Sequence, residues 1–263
     1  TPDYTPEKGV SRLLEHEIYR MDVGEAIRAG MLSHARTEII RTRIDLSSVP
    51  IKNGEYVVDE MEQKLNVPAR NKAAVDYYMK EFMGKQGVAY CIKISHAEKV
   101  KELFVEAGVE AEVISGENTD KEQEDILRRY KNGEIKILCN ADILIEGFDH
   151  DKAAVCLNLR PTMSAVIAEQ RGGRVLRLDP KNPDKWGYVI DFLDDDMGNR
   201  PTPILYRDVL GAMAVPRAIA SESGSSRSKN GAPGSKEDEY ESVDGLNVIS
   251  TEEQFVEILN QRE

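Results

Sequence analysis

Between residues 170 and 177 the chain reads Gln-Arg-Gly-Gly-Arg-Val-Leu-Arg. Arg174 and Arg177 are three apart, so on a helical turn both guanidinium groups project from one side. Gly172 and Gly173 leave room beside them for another backbone or a ligand to come close. Two planar forks beside a gap can grip phosphate oxygens. The same spacing also suits a solvated basic helix end, since surface arginines are common.

Three stretches must position these groups. Ile137 to Cys139 and Ala154 to Leu159 are short apolar runs, the length of strands buried on both faces. Met163, Val166, Ile167 and Gln170 then recur at helical spacing and carry the chain into the arginines.

Gln170-x-x-Gly173-Arg174-x-x-Arg177 resembles motif VI, the arginine-finger motif of the superfamily 2 helicases. Upstream, Ala141-Asp-Ile-Leu-Ile-Glu-Gly-Phe-Asp149 is similar to their motif V, which in the DEAD-box branch runs Thr-x-x-x-x-Arg-Gly-x-Asp. Earlier still, Gly87 to Glu98 resembles motif IV, a strand leading into a helix. Three motifs in the family's order form a specific signal. The resemblance covers about residues 35 to 195 and implies the second of a helicase's two RecA-like motor domains.

That resemblance implies roles. Arg174 and Arg177 would stabilise the transition state of phosphoryl transfer, and Gln170 would orient water or link nucleotide to nucleic acid. Gly147 and Gly173 would let nucleotide approach, and Asp149 would accept hydrogen bonds from ribose hydroxyls; a plain Gly-Phe-Asp turn with Phe148 in the core fits residues 147–149 as well. Ala141 stands where the family has a threonine touching a nucleic-acid phosphate. Ser95, Asn118 and Asn140 lie on the same expected rim and could donate to phosphate oxygens. Glu146 replaces the DEAD-box arginine, which favours a branch nearer restriction-type or DEAH-like translocases.

Along the chain, helices are expected at Val10 to Tyr19, Val23 to Ala29, Asp59 to Leu65 and Ala69 to Met83, with a strand at Thr37 to Leu46 and a loop at Pro50 to Gly54. From Gly87 the pattern alternates: strand Val88 to Ile94, helix His96 to Ala107, strand Glu112 to Ser115, helix Thr119 to Lys131, strand Ile135 to Cys139. Thr119 and Glu122 have capping-box spacing. A strand at Trp186 to Phe192 and a helix at Pro203 to Met213 follow. Alternation of this kind means an α/β fold, a parallel RecA-like sheet with helices on both faces, plus short N- and C-terminal extensions. Ligands of such a sheet are expected at the carboxyl ends of its strands, where the arginine pair should face a cleft.

Residues 1–34 are expected to be the tail of a first motor domain or an inter-domain linker, with Thr1-Pro2 either the end of motif III or a Pro-rich terminus. Residues 35–215 are the expected C-terminal RecA-like domain. Residues 216–242 are a Ser/Gly/charged flexible linker, and residues 243–263 a small appendage with a strand at Leu246 to Ile249 and a helix at Glu252 to Leu259.

The 263 residues carry a net charge of −12, with 40% hydrophobic and 31% charged residues, the profile of a globular chain rather than a nucleic-acid binder held by bulk charge. A local basic groove is still compatible: basic residues cluster at Arg36 to Arg43 and Arg171 to Arg177. No apolar run reaches the roughly 18 residues of a membrane span, which places the chain in the cytoplasm, or the nucleus of a eukaryote. Cys91, Cys139 and Cys156 sit in apolar runs and read as core residues, with neither disulfide nor zinc expected.

No phosphate loop of the Gly-x-x-x-x-Gly-Lys-Ser/Thr type occurs, and Asp59-Glu60 opens a mixed helix rather than ending an apolar strand as a magnesium-holding pair would. The expected function is therefore the C-terminal half of an ATP-dependent DNA or RNA helicase. It would supply arginine fingers to ATP and Mg held mainly by a first RecA-like domain, and would be inactive alone. Two alternatives fit more loosely: a nucleic-acid or protein binding module without motor activity, although aromatics are only 6%, and half of a nucleotide-sugar transferase.

Overall fold

The computed structural model describes residues 21–141, 150–195, 202–210 and 249–254. Its strands are β1 (His34–Asp45), β2 (Ile51–Lys52), β3 (Glu55–Tyr56), β4 (Gln86–Tyr90), β5 (Ala111–Ile114), β6 (Ile137–Asn140), β7 (Ala153–Asn158), β8 (Trp186–Asp195) and β9 (Ile249–Gln254). Its helices are α1 (Val23–Arg28), α2 (Val58–Leu65), α3 (Pro68–Glu81), α4 (Ile94–Glu106), α5 (Asp120–Lys131), α6 (Ala165–Gly173) and α7 (Tyr206–Val209). Six strands run parallel in the order β5-β6-β4-β7-β8-β1, and β9 joins the β1 edge antiparallel.

Strands β4, β6 and β7 are buried at every residue, which is why their sequences are mainly apolar rather than alternating, with amide side chains only at their ends. Successive residues still point to opposite faces. Ala89, Ile137 and Val155 meet Tyr78, Val100 and Phe104 of α3 and α4. Val88, Leu138 and Cys156 meet Ile126 and Tyr130 of α5, Val175 and Leu176 beyond α6, and Tyr206 of α7. Parallel neighbours need crossover helices, so both faces are covered. The Thr119–Glu122 capping box opens α5 as its spacing predicts: the Thr119 N–H donates to Glu122 Oε2 at 2.7 Å and the Glu122 N–H to Thr119 Oγ1 at 3.4 Å.

A third cluster seals the carboxyl end of the sheet. Leu46, Val49, Tyr56, Met61, Leu65 and Ile92 bury one another under the β2–β3 hairpin and α2. The Thr162 hydroxyl and the Met163 N–H both donate to Glu55 Oε1, at 2.7 and 3.0 Å, tying the hairpin to the loop after β7. Beneath it, fully buried Arg70 forks onto Asp194, Nε to Oδ1 at 3.0 Å and Nη2 to Oδ2 at 2.9 Å, and its Nη1 donates to the Leu159 carbonyl. Burial of such a pair is tolerable because every arm of the fork has a partner.

Several expectations are corrected. The Pro50 to Gly54 stretch holds β2 and the turn of the β2–β3 hairpin, which puts Asn53 at φ 52° and Gly54 at φ 79°, the left-handed pair an Asn-Gly turn favours. Ile94 opens α4 instead of ending β4. Of the Pro203 to Met213 helix, only Tyr206–Val209 is helical among the described residues. Glu252 to Gln254 belong to β9, not to a helix. The helix expected at Val10 to Tyr19 and the linker at 216–242 lie outside the described residues. No helix among the described residues is long and apolar enough to cross a membrane.

Candidate functional site

Helix α6 begins at Ser164, whose side chain caps it by accepting the Ile167 N–H at 3.3 Å, and ends at Gly173. Arg174 is its C-cap. The backbone then tightens: N–H groups of Arg174, Val175 and Leu176 donate to carbonyls three residues back, at Arg171, Gly172 and Gly173. With three residues per turn in such a stretch, Arg174 and Arg177 fall on one side. Both are half-buried.

The turn's location corrects the carboxyl-edge expectation. Helix α6 starts beyond the carboxyl end of β7 and runs back along the sheet, so its end lies by the strands' amino ends. Ser33 just before β1 donates its N–H to the Leu176 carbonyl at 2.7 Å and its hydroxyl to the Arg177 carbonyl at 3.0 Å. Lys185 just before β8 donates to the same Arg177 carbonyl at 2.7 Å and to that of Asp151, just before β7. Arg177 there lines an open cavity of ≈ 500 Å³ with Lys131, His150 and Lys152. Burial raises the pKa of the Tyr90 hydroxyl, and the charges of Arg171 and Arg174 pull the other way.

The two glycines do different jobs. A Cβ on Gly172 would stand 2.1 Å from Cε2 of Tyr206, so its space is filled from within. A Cβ on Gly173 would meet nothing within 4 Å, leaving that side of the arginine turn open. Close approach also explains Gly187, where a Cβ would sit 2.7 Å from the Val175 carbonyl oxygen as the turn crosses β8. Arg171 is 2% exposed; its Nη1 donates to the Arg160 carbonyl at 2.8 Å and its guanidinium lies 5.3 Å from the Tyr90 ring centre. Thus the three arginines divide, one inward and two at the surface. Gln170 is half-buried on the last turn of α6.

Gly147 and Asp149 lie outside the described residues. The chain re-enters at His150, which donates from Nε2 to Gln86 Oε1 at 3.1 Å and packs edge-on against Tyr130. The donor is assigned because the Gln86 amide nitrogen already gives its hydrogens to the Tyr130 and Ile135 carbonyls. Burial, then Lys152, Lys131 and Lys185, hold the His150 pKa below its usual value against the pull of Asp151. Burial likewise brings Lys185 down to about 8, despite Asp179 and Asp151.

The expected nucleic-acid residues sit at the opposite, carboxyl edge. Ser95, Asn118 and Ala141 follow β4, β5 and β6, three adjacent strands. The Ser95 hydroxyl donates to Glu62, and Lys93 pairs with Asp59 and Glu62, so two carboxylates of α2 occupy these groups. Asn118 Oδ1 accepts the Ser115 N–H at 2.7 Å, so its side chain folds back on the end of β5. Asn140 is a correction. It is fully buried and its amide donates to the Ala89 carbonyl at 3.2 Å, because as the last residue of β6, flanked by β5 and β4, it turns to a neighbouring strand rather than to solvent.

The loop before α4 is held from inside. The Ile92 N–H donates to His96 Nδ1 at 3.2 Å, which puts the proton on Nε2, 3.0 Å from Asn71 Oδ1. Burial, with Arg70 and Lys99, lowers the His96 pKa to about 3. Asp191 goes the other way, to about 6: burial outweighs the bonds from Asn158 Nδ2 and the Tyr206 N–H, both at 2.7 Å. Ser33, Lys93 and Lys185 were not singled out by sequence reasoning. Each lies within three residues of a strand end, and no local pattern marks such a position.

Residues 70–179 match the helicase conserved C-terminal domain family. A 51.5 kDa protein of a Lactococcus phage (isolate 7-9) is 31% identical over 148 residues, 56% of this chain and 32% of that protein. The putative ATP-dependent helicase IRC3 of Saccharomyces cerevisiae is 24% identical over 190 residues, 71% of this chain and 27% of that protein. The chain thus spans about a third or less of the length of these curated relatives. Among solved structures, the fragment of a putative HsdR subunit of a type I restriction enzyme from Vibrio vulnificus YJ016 superposes with a TM-score of 0.53 at 20% identity, covering 69% of this chain and 36% of that one. Fold, motif order and family match agree: the chain carries a RecA-like C-terminal domain of the superfamily 2 helicase type.

Proposed function

We propose that this chain is the second motor domain of an ATP-dependent nucleic-acid helicase or translocase, delivering Arg174 and Arg177 to an ATP held by another domain. The observation that carries the reading is the arginine turn itself. Two half-buried arginines stand one tight turn apart, the space at Gly173 beside them is open, and Ser33 and Lys185, just before β1 and β8, fix the backbone. Such a turn is pre-organised, so little reorganisation is needed when charge develops on a transferring phosphoryl group.

In this reading the strand ends divide the labour. The turn, the cavity at Arg177 and the 147–149 segment serve nucleotide, with Gly173, Gly147 and Asp149 close to it and Gln170 linking it to the rest. Ser95, Asn118 and Ala141 track a nucleic-acid backbone at the other edge, and Asn140 supports that rim from below. With no phosphate loop in its sequence, the chain is inactive alone. The domain boundaries follow: residues 35–215 as the motor domain, 1–34 leading in from the first one, 216–242 as a tether and 243–263 as an appendage. Nucleic-acid-stimulated ATPase of the whole protein tests this. Arg174→Ala and Arg177→Ala should each slow turnover by about 10³-fold or more; unchanged turnover would favour a binding module instead.

A further inference from the structure

The Arg177 carbonyl oxygen accepts two side-chain donors that come from different strands. Ser33 Oγ reaches it from the start of β1 at 3.0 Å, and Lys185 Nζ from the start of β8 at 2.7 Å. Ser33 adds its own N–H to the preceding carbonyl, of Leu176, at 2.7 Å. Lys185 is only 5% exposed, and the same ammonium also donates to the Asp151 carbonyl. A lysine is rarely buried without a carboxylate partner. Here the ammonium is spent on two main-chain carbonyls, an arrangement that ties one backbone segment to another rather than balancing a charge.

The segments it ties both border the cavity at Arg177. Asp151 lies just before β7, and Arg177 closes the arginine turn. Between them, His150 and Arg177 line one cavity. We infer that Lys185, seconded by Ser33, is a positioning residue for catalysis: it locks the arginine turn to His150 and Asp151 just before β7, so that the cavity they share presents a single nucleotide-facing surface. This deepens the motor reading and rests on it. A guanidinium carried on a backbone free to shift by about 1 Å loses most of its value to a transition state, a misplacement that can cost on the order of 10²-fold.

The experiment is steady-state ATPase of the whole protein, including the domain that holds ATP, with Lys185→Met and Ser33→Ala singly and together. Lys185→Met should lower kcat by about 10- to 100-fold while KM for ATP and affinity for a single-stranded oligonucleotide stay within about twofold. Ser33→Ala, a milder change that removes one of the same carbonyl's donors, should give a smaller drop of the same kind. The double variant should lose less than the product of the two, since both act through one oxygen. If Lys185→Met does not fold, Ser33→Ala carries the test. The inference is overturned if Arg177→Ala slows turnover while the foldable clamp variants leave kcat unchanged. It is equally overturned if they raise KM and weaken oligonucleotide binding in step with kcat, as general loosening would. If Arg174→Ala and Arg177→Ala both leave turnover intact, it is the motor reading that falls, and the clamp's catalytic role falls with it.

Discussion

Replacing Gly172 by alanine tests how the arginine helix is seated. The added Cβ would stand 2.1, 2.3 and 2.5 Å from three ring carbons of Tyr206. Carbon atoms in contact sit about 3.5–4.0 Å apart, so ring or helix must move by roughly 1.4 Å. The ring has little freedom to retreat: Tyr206 is 0% exposed, and its N–H is bonded to buried Asp191 at 2.7 Å. Overpacking of this kind costs about 1–3 kcal/mol, and the tight fit places Gly172→Ala at the upper end. Alanine recovers up to about 1 kcal/mol of helix propensity, so the net loss is about 2 kcal/mol. Urea unfolding of the chain followed by circular dichroism would read it as a lower midpoint at unchanged slope. Gly173→Ala is the internal control: its Cβ would meet nothing within 4 Å, so stability should hold or rise. A Gly172→Ala chain as stable as the parent would refute the packing argument, as would failure of Tyr206→Leu to restore the loss.

Two further outcomes follow from the carboxyl edge. Glu62 holds the Ser95 hydroxyl and shares Lys93 with Asp59, so Glu62→Gln should tighten oligonucleotide binding by about two- to fivefold, the equivalent of the roughly 0.2–1 kcal/mol of an exposed ion pair; unchanged or weaker binding by fluorescence anisotropy would remove Ser95 and Lys93 from the interface. His96 is buried neutral with its pKa lowered to about 3. The unfolded chain therefore takes up that proton first as pH falls, and the His96 contribution, full above about pH 6.5, is lost as pH drops toward 3. Stability should fall by up to about 1.4 kcal/mol per pH unit from this group, and His96→Gln should flatten that slope in denaturation midpoints taken between pH 6.5 and 4.

Local signals in the sequence carried much of this fold. The mainly apolar runs at β4, β6 and β7, the Thr119–Glu122 cap and the strand-helix alternation all report neighbours within a few residues. What stayed hidden depends on partners far along the chain. Arg70 meets Asp194 across 124 residues, and Lys185 and Ser33 converge on Arg177 from two strands that no spacing rule connects. The same holds for direction: motif order implied that Arg174 and Arg177 work together, but only the path of α6 shows that their turn lies by the amino ends of the strands, away from Ser95 and Asn118. Gly172 illustrates the ambiguity of composition, because room for a ligand and room for Tyr206 look identical in sequence.

Single-turnover cleavage of pre-bound ATP by the whole protein, with nucleic acid saturating, isolates the central claim from binding and product release. Arg174→Ala should leave the ATP dissociation constant within a few-fold while the cleavage rate falls by about 10³-fold or more, as expected of a group that meets charge developing in the transition state. A cleavage rate unchanged by Arg174→Ala, or one lowered only in proportion to weakened ATP binding, would contradict the account.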